Sequence, residues 1–193
     1  MEKLSKILMD LKKYSLTTYD HSIRVSNICM FLGRKLNLCE EEIKTLRLAG
    51  LLHDIGKLKV SKDILDKPAK LTKEEYDEMK NHSKYGVDLL INNGFNNNEV
   101  LNLILCHHER IDGLGYPNHL TGDKIPKLSK ILTVCDCFDA MNSKRPYKEI
   151  QNTDYIRSEF INNSGTQFDP YYAKELLNSL NYLVKEIGPK KKI

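Results

Sequence analysis

The sequence predicts an all-α domain, a helical bundle with two pocket-shaping loops. Three observations carry that reading. Apolar residues recur at helical spacing almost throughout, the residues between those runs are helix-cap and turn formers, and no stretch alternates apolar and polar side chains with β-branched enrichment. At 193 residues and 22.3 kDa the chain suits one domain spanning 1–193 with a sizeable core, its motifs falling between about 17 and 170.

The opening segment, "MEKLSKILMDLKKY", is amphipathic and lacks the continuous apolar centre of a secretory signal. In "HSIRVSNICMFLGRKLNL", Ile23, Ile28, Phe31, Leu32 and Leu36 make an apolar stripe. "EEEIKTLRLAGLLHDIG" repeats the pattern with Ile43, Leu46, Ala49 and Leu52, and Gly56 is placed to end that helix and turn Lys57 back. Thr72 and Glu75 predict a capping box for "TKEEYDEMKNH", and "INNGFNNN" reads as a turn closed by Gly94. "KLSKILTVCDCFDAM" puts Leu128, Ile131, Leu132, Cys135 and Phe138 on one face. Asp169 and Pro170 open a last helix expected to run to about residue 187. Two irregular regions, roughly 57–71 and 110–126, each follow a histidine-bearing helix, where loops can shape a pocket.

Charged residues make up 29% and hydrophobic ones 40%, the balance of a water-soluble globular chain. The net charge of +4 owes much to Lys190, Lys191 and Lys192; it suits an anionic ligand without arguing for a nucleic-acid polymer. No run approaches the ~20 apolar residues of a membrane span. Five cysteines, an odd number, point to free thiols in a reducing cytoplasm. Cys135 and Cys137 have the wrong spacing for a zinc knuckle or redox pair and read as small core residues.

Five of the six histidines, His21, His53, His82, His107 and His108, stand where the periodicity places the core; His119 sits in a polar loop. One such histidine is ordinarily structural, and the set is not. Asp136 lies inside the apolar run "ILTVCDCF", where an unpaired carboxylate is costly. Helices converging on divalent metal ions account for all of these residues. Adjacent side chains on a helix diverge by about 100°, so His53 and Asp54 can address neighbouring ions, with the carboxylate between them. Lys57 beside metals suits a phosphate-bearing substrate. Asp112, Gly113 and Gly115 shape the turn that presents Tyr116 and Pro117. Glu109 either orients a histidine or ends its helix, Asp139 either supports a neighbouring ligand or anchors the "RPY" segment, and Arg24 makes a structural ion pair.

"HDIGK", "HHE", "DGLGYP" and "DCFDAMNSKRPYK", in that order and at these intervals, resemble the HD-GYP phosphodiesterases, a branch of the HD metal-dependent phosphohydrolases. The resemblance runs from about His21 to Pro170 and takes in "ILDKPAKLTKEEYDEMKNHSKYG" and "GTQFDP". It implies that His21, His53, Asp54, His82, His107, His108 and Asp136 ligate two divalent metals, iron or manganese foremost, with Asp54 bridging. It implies that Lys57 supports the bridging water or the substrate phosphate. Tyr116 would line the ligand pocket, and Arg145 and Lys148 would reach the substrate. The implied reaction is hydrolysis of cyclic di-GMP to pGpG, in some members on to GMP, by a metal-bridging hydroxide. Another cyclic dinucleotide or nucleotide is the alternative substrate, and a non-catalytic module binding a nucleotide or a partner is the alternative class.

One departure matters. Family members credited with three metals carry glutamate four residues before the first histidine, where this chain has Thr17. Two metals are therefore expected, and conversion on to GMP loses its support with the third site. At this length no receiver, sensor or membrane domain is expected, and any regulation is expected from metal supply, oligomerisation or a separate protein partner.

Overall fold

The computed structural model describes residues 2–143 and 151–187. The chain forms α1 (Glu2–Tyr14), α2 (Leu16–Lys35), α3 (Glu40–Leu52), a 3-10 turn (Ile55–Lys59), α4 (Lys62–Leu65), α5 (Lys73–Lys80), α6 (His82–Asn92) and α7 (Asn98–Cys106). A second 3-10 turn (Gly122–Lys124), α8 (Lys127–Asn142), α9 (Thr153–Asn162), α10 (Pro170–Asn178), α11 (Leu180–Tyr182) and a π-helical turn (Leu183–Ile187) complete it. β pairing among the described residues is confined to two isolated bridges, Asp112 with Thr121 and Ser164 with Phe168. The all-α expectation holds, and no described helix is long and apolar enough to cross a membrane.

The caps explain where the helices start. Ser15 accepts the Thr18 N–H at the head of α2, Thr72 and Glu75 close a reciprocal box on α5, and the Asp169 side chain caps α10 ahead of Pro170. The centre is α2 lying along α3, with α8 against both and α7 against α3. Val25, Ile28, Cys29, Leu32, Leu46, Leu52, Ile104, Ile131 and Phe138 are buried there. On α2 the buried face runs through Thr18, His21, Val25, Ile28 and Leu32, steps of three and four. Ile23, expected in the stripe, lies off that face and is 36% exposed.

α8 is buried nearly all round because other helices cover it on several sides. That position puts Asp136 and Asp139, one turn apart, inside the molecule. Cys135 is core as expected, whereas Cys137 is half-buried and lines a cavity. The last helix is not continuous: it breaks at Ser179, although Ala173, Leu176, Leu180 and Leu183 keep one buried face across the break.

Gly56 differs from its expected role. α3 ends earlier, at Leu52, and Gly56 sits within the first 3-10 turn. A Cβ there would overlap the His82 carbonyl and press on the Gly86 amide, so the glycine permits close approach to α6 rather than stopping a helix.

Candidate metal centre

Three histidines follow helix ends. His53 comes directly after α3, His107 directly after α7, and His82 two residues beyond α5. The last carbonyls of a helix have no partner within it. Each of these histidines uses one: Nδ1 lies 2.8 Å from the Gly50 oxygen, 2.6 Å from Ile104 and 2.7 Å from Met79 for His53, His107 and His82 respectively. A carbonyl only accepts, so each Nδ1 carries the hydrogen and each Nε2 keeps its lone pair when the ring is neutral.

Those Nε2 atoms are turned on one another. His82 and His107 approach to 3.2 Å, His108 and His82 to 3.2 Å, and His53 and His21 to 3.3 Å. Facing lone pairs repel, and a shared cation removes the conflict. His21, within α2, is aimed by a carboxylate instead: its Nδ1 lies 2.7 Å from Asp139, which accepts two hydrogen bonds from Arg24 and one from Ser143. His108 is stacked on the Tyr116 ring, centroids 4.7 Å apart.

Two carboxylates complete the floor. Asp54 Oδ2 is 3.4 Å from His53 Nε2 and 3.6 Å from His21 Nε2, while its Oδ1 is 3.5 Å from His82 Nε2. One oxygen thus faces each imidazole group. Asp136 Oδ1 lies 2.9 Å from His21 Nε2 and 3.7 Å from His53 Nε2. Lys57 Nζ is 2.6 Å from Asp54 Oδ2. Three overlapping triads could each hold an ion: His82, His107 and His108; His21, His53 and Asp54; His53, His107 and Asp136. Imidazole nitrogens with a few carboxylate oxygens are a donor set for borderline divalent transition metals, and the residues fit such ions.

The electrostatics agree. Burial, then neighbouring imidazoles, pushes the His107 pKa well down; burial outweighs the nearby carboxylates and takes His82 to about 4 and His108 to about 3. His53 goes the other way. Burial opposes its charge too, but Asp54 and Asp136 outweigh it and raise it to about 10. Burial would likewise raise both aspartates; Lys57 and His53 hold Asp54 well below the usual range, and His21 and His53 do so for Asp136. The carboxylates demand positive charge at the His53 side, and a proton and a metal ion compete for the same lone pair.

A cavity of about 990 Å³ opens over this floor. Asp54, Lys57, His82, His108, Asp136 and Tyr116 line it, and burial drives the Tyr116 phenol pKa upward, so it donates rather than acts as a base. Thr17 is exposed at the lining and offers only a hydroxyl. The seven residues expected as ligands are thus brought together, with Lys57 and Tyr116 beside them. Arg145 and Lys148 lie outside the described residues.

Glu109 does neither thing the sequence suggested. Its buried carboxylate accepts the backbone N–H groups of Asn118 at 2.7 Å and Leu120 at 2.9 Å, holding the loop that carries Tyr116. Gly115 lets that loop fold onto the chain at His108–Arg110, where a Cβ would strike backbone, and Tyr116 N bonds the His108 oxygen at 3.2 Å. His119 is exposed, as expected. Asp112 sits in the turn as expected, accepting the Leu114 N–H at 3.0 Å, but Arg110 and Gln167 were not singled out by the sequence; Arg110 pairs with Asp112 and ties the "GYP" loop to residue 167 across 57 positions, and no local pattern announces that.

Fold and site together define a class: a helical domain whose floor of imidazoles and carboxylates is suited to metal ions. The HD domain family profile matches residues 4–171, and the chain belongs to that family. The cyclic di-GMP phosphodiesterase response regulator RpfG of Xanthomonas campestris is 40% identical over 166 residues, 86% of this chain and 44% of that protein. The 3'3'-cGAMP-specific phosphodiesterase 2 of Vibrio cholerae is 38% identical over 158 residues, 81% of this chain and 30% of that protein. The chain therefore spans less than half the length of either relative. Among solved structures, Bd1817, an HDG"Y"P protein from Bdellovibrio bacteriovorus, superposes with a TM-score of 0.69 at 20% identity, covering 83% of this chain and 51% of that one.

Proposed function

We propose that the chain is a metal-dependent phosphodiesterase of the HD-GYP branch that opens cyclic di-GMP to pGpG. The observation that carries this is Asp54, whose two oxygens face separate groups of converging Nε2 atoms. His21, His53 and Asp136 would hold one ion, His82, His107 and His108 the other, and Asp54 both; iron or manganese suits the set. Bound there, a metal pair acidifies water and neutralises phosphate oxygens. Thr17 supplies no third carboxylate, which favours two ions and pGpG as the product.

The chain's own residues supply the rest. Lys57, 2.6 Å from Asp54, puts a cation beside the place where a phosphodiester meets the floor. Tyr116, fixed against His108, presents a neutral donor and a flat face to the cavity. Asp139 and Arg24 keep His21 in one tautomer. Arg145 and Lys148 are assigned to the substrate by the motif alone. Free cysteines and the substrate class support a cytoplasmic location.

The test is turnover of cyclic di-GMP by anaerobically purified protein reconstituted with iron or manganese, with products separated by chromatography. Accumulation of pGpG, lost in Asp54→Ala, is the expected result. Metal binding without turnover of any cyclic dinucleotide would make the chain a binding module instead. The identity with a cGAMP-specific relative favours one second reading, a mixed cyclic dinucleotide as substrate; faster turnover of that compound would establish it.

A further inference from the structure

The cavity reaches past the metal floor to a wall where Arg110, Cys137, Gln167 and Tyr76 come together. We propose that Gln167 selects the nucleobase there, offering a donor-only amide to the acceptor edge of guanine. This rests on the cyclic dinucleotide reading above and adds the residue that chooses the base.

The amide's orientation follows from its neighbour. A guanidinium only donates, so the Gln167 atom 3.1 Å from Arg110 Nη1 is Oε1. The other atom is the NH2 group, and it donates to Cys137 Sγ at 3.4 Å. Its second hydrogen has no partner among the described residues, and Gln167 lines the cavity. Arg110 itself is committed: Nε and Nη2 pair with the two oxygens of Asp112 at 3.0 and 2.6 Å. The Asp112 N–H bonds the Thr166 oxygen at 2.9 Å, so the two loops are tied by backbone as well.

An unrestrained glutamine reads adenine best, accepting from N6 and donating to N7 at once. Arg110 occupies the accepting half. What remains matches guanine, whose O6 and N7 both accept, and leaves the adenine amino group facing another donor. Tyr76, half-exposed on α5 at the same wall, adds an aromatic face for the base to lie against.

The experiment is calorimetric titration of the full chain, with and without manganese, using hydrolysis-resistant phosphorothioate analogues of cyclic di-GMP and cyclic di-AMP. The unsubstituted protein should prefer the guanine ligand. Gln167→Ala should reduce that preference about tenfold, through weaker guanine binding, with the adenine Kd hardly moved. Arg110→Met frees Oε1, so the amide can turn and the adenine ligand should tighten. Gln167→Glu keeps the tie to Arg110 but removes the donors, and should lose the guanine preference even if Arg110→Met misfolds. An unchanged preference in Gln167→Ala and Gln167→Glu, or equal weakening of both ligands, overturns base selection while leaving the phosphodiesterase reading intact. Failure of the unsubstituted chain to bind either analogue overturns both.

Discussion

The floor of the cavity and its wall are built by opposite means. On the floor, His53, His82 and His107 are each aimed by the carbonyl three residues earlier, at a helix end. Their geometry is local and rigid. On the wall, Glu109 reaches Asn118 and Leu120, and Arg110 reaches Gln167. That geometry exists only once distant loops have met. The contrast teaches a division of labour: short-range structure aims three of the imidazoles proposed to meet metals, His21 alone being aimed across the fold by Asp139, and long-range ties shape what surrounds the rest of the cavity.

Substitutions can break the two parts separately. The largest effect is expected from Gly56→Ala, because the new Cβ meets the His82 backbone rather than a yielding side chain. About 3 kcal/mol of stability should be lost in urea denaturation, together with metal, since His82 moves with α6. Asp139→Asn should weaken metal binding of the folded protein by about ten- to a hundredfold, measured by competition with a chelator, because His21 loses the carboxylate that orients it, and should lower stability as well, because Arg24 loses the same buried partner.

Glu109→Gln addresses the wall alone. It replaces a charged acceptor of two backbone N–H groups and should cost about 2 kcal/mol, seen as a raised KM with unchanged metal content. A fall in metal content would join the wall to the floor and dissolve the contrast. The smallest effect is expected from Thr72→Ala, which removes an exposed cap from α5: about 1 kcal/mol in thermal unfolding and no change in metal binding.

The same contrast decides what the sequence could reveal. Helix spacing and caps were legible because they are local, as at Thr72, Asp169 and the α3 stripe. Ile23 misled because an apolar residue at roughly the right spacing is indistinguishable from a core residue until the buried face, running through His21 and Val25, is known. The histidines and aspartates of the floor stood out as polar residues at core positions, which a fold tolerates only for a reason. Gly56 looked like a helix stop because the chain cannot show that α6 lies against it. Glu109 was undecided between two local roles and has a third, and Gln167 carried no signal beyond its motif, because both act through folded loops.

Every role proposed for the cavity requires the converging nitrogens and carboxylates to be a metal centre, and metal content tests that most directly. Protein purified without oxygen and reconstituted with manganese would be analysed by plasma mass spectrometry beside Asp54→Ala, with circular dichroism confirming that the variant is folded. About two ions per chain, falling to about one or none when the shared carboxylate is removed, is the predicted result. No bound metal, or an undiminished pair in the variant, would contradict it.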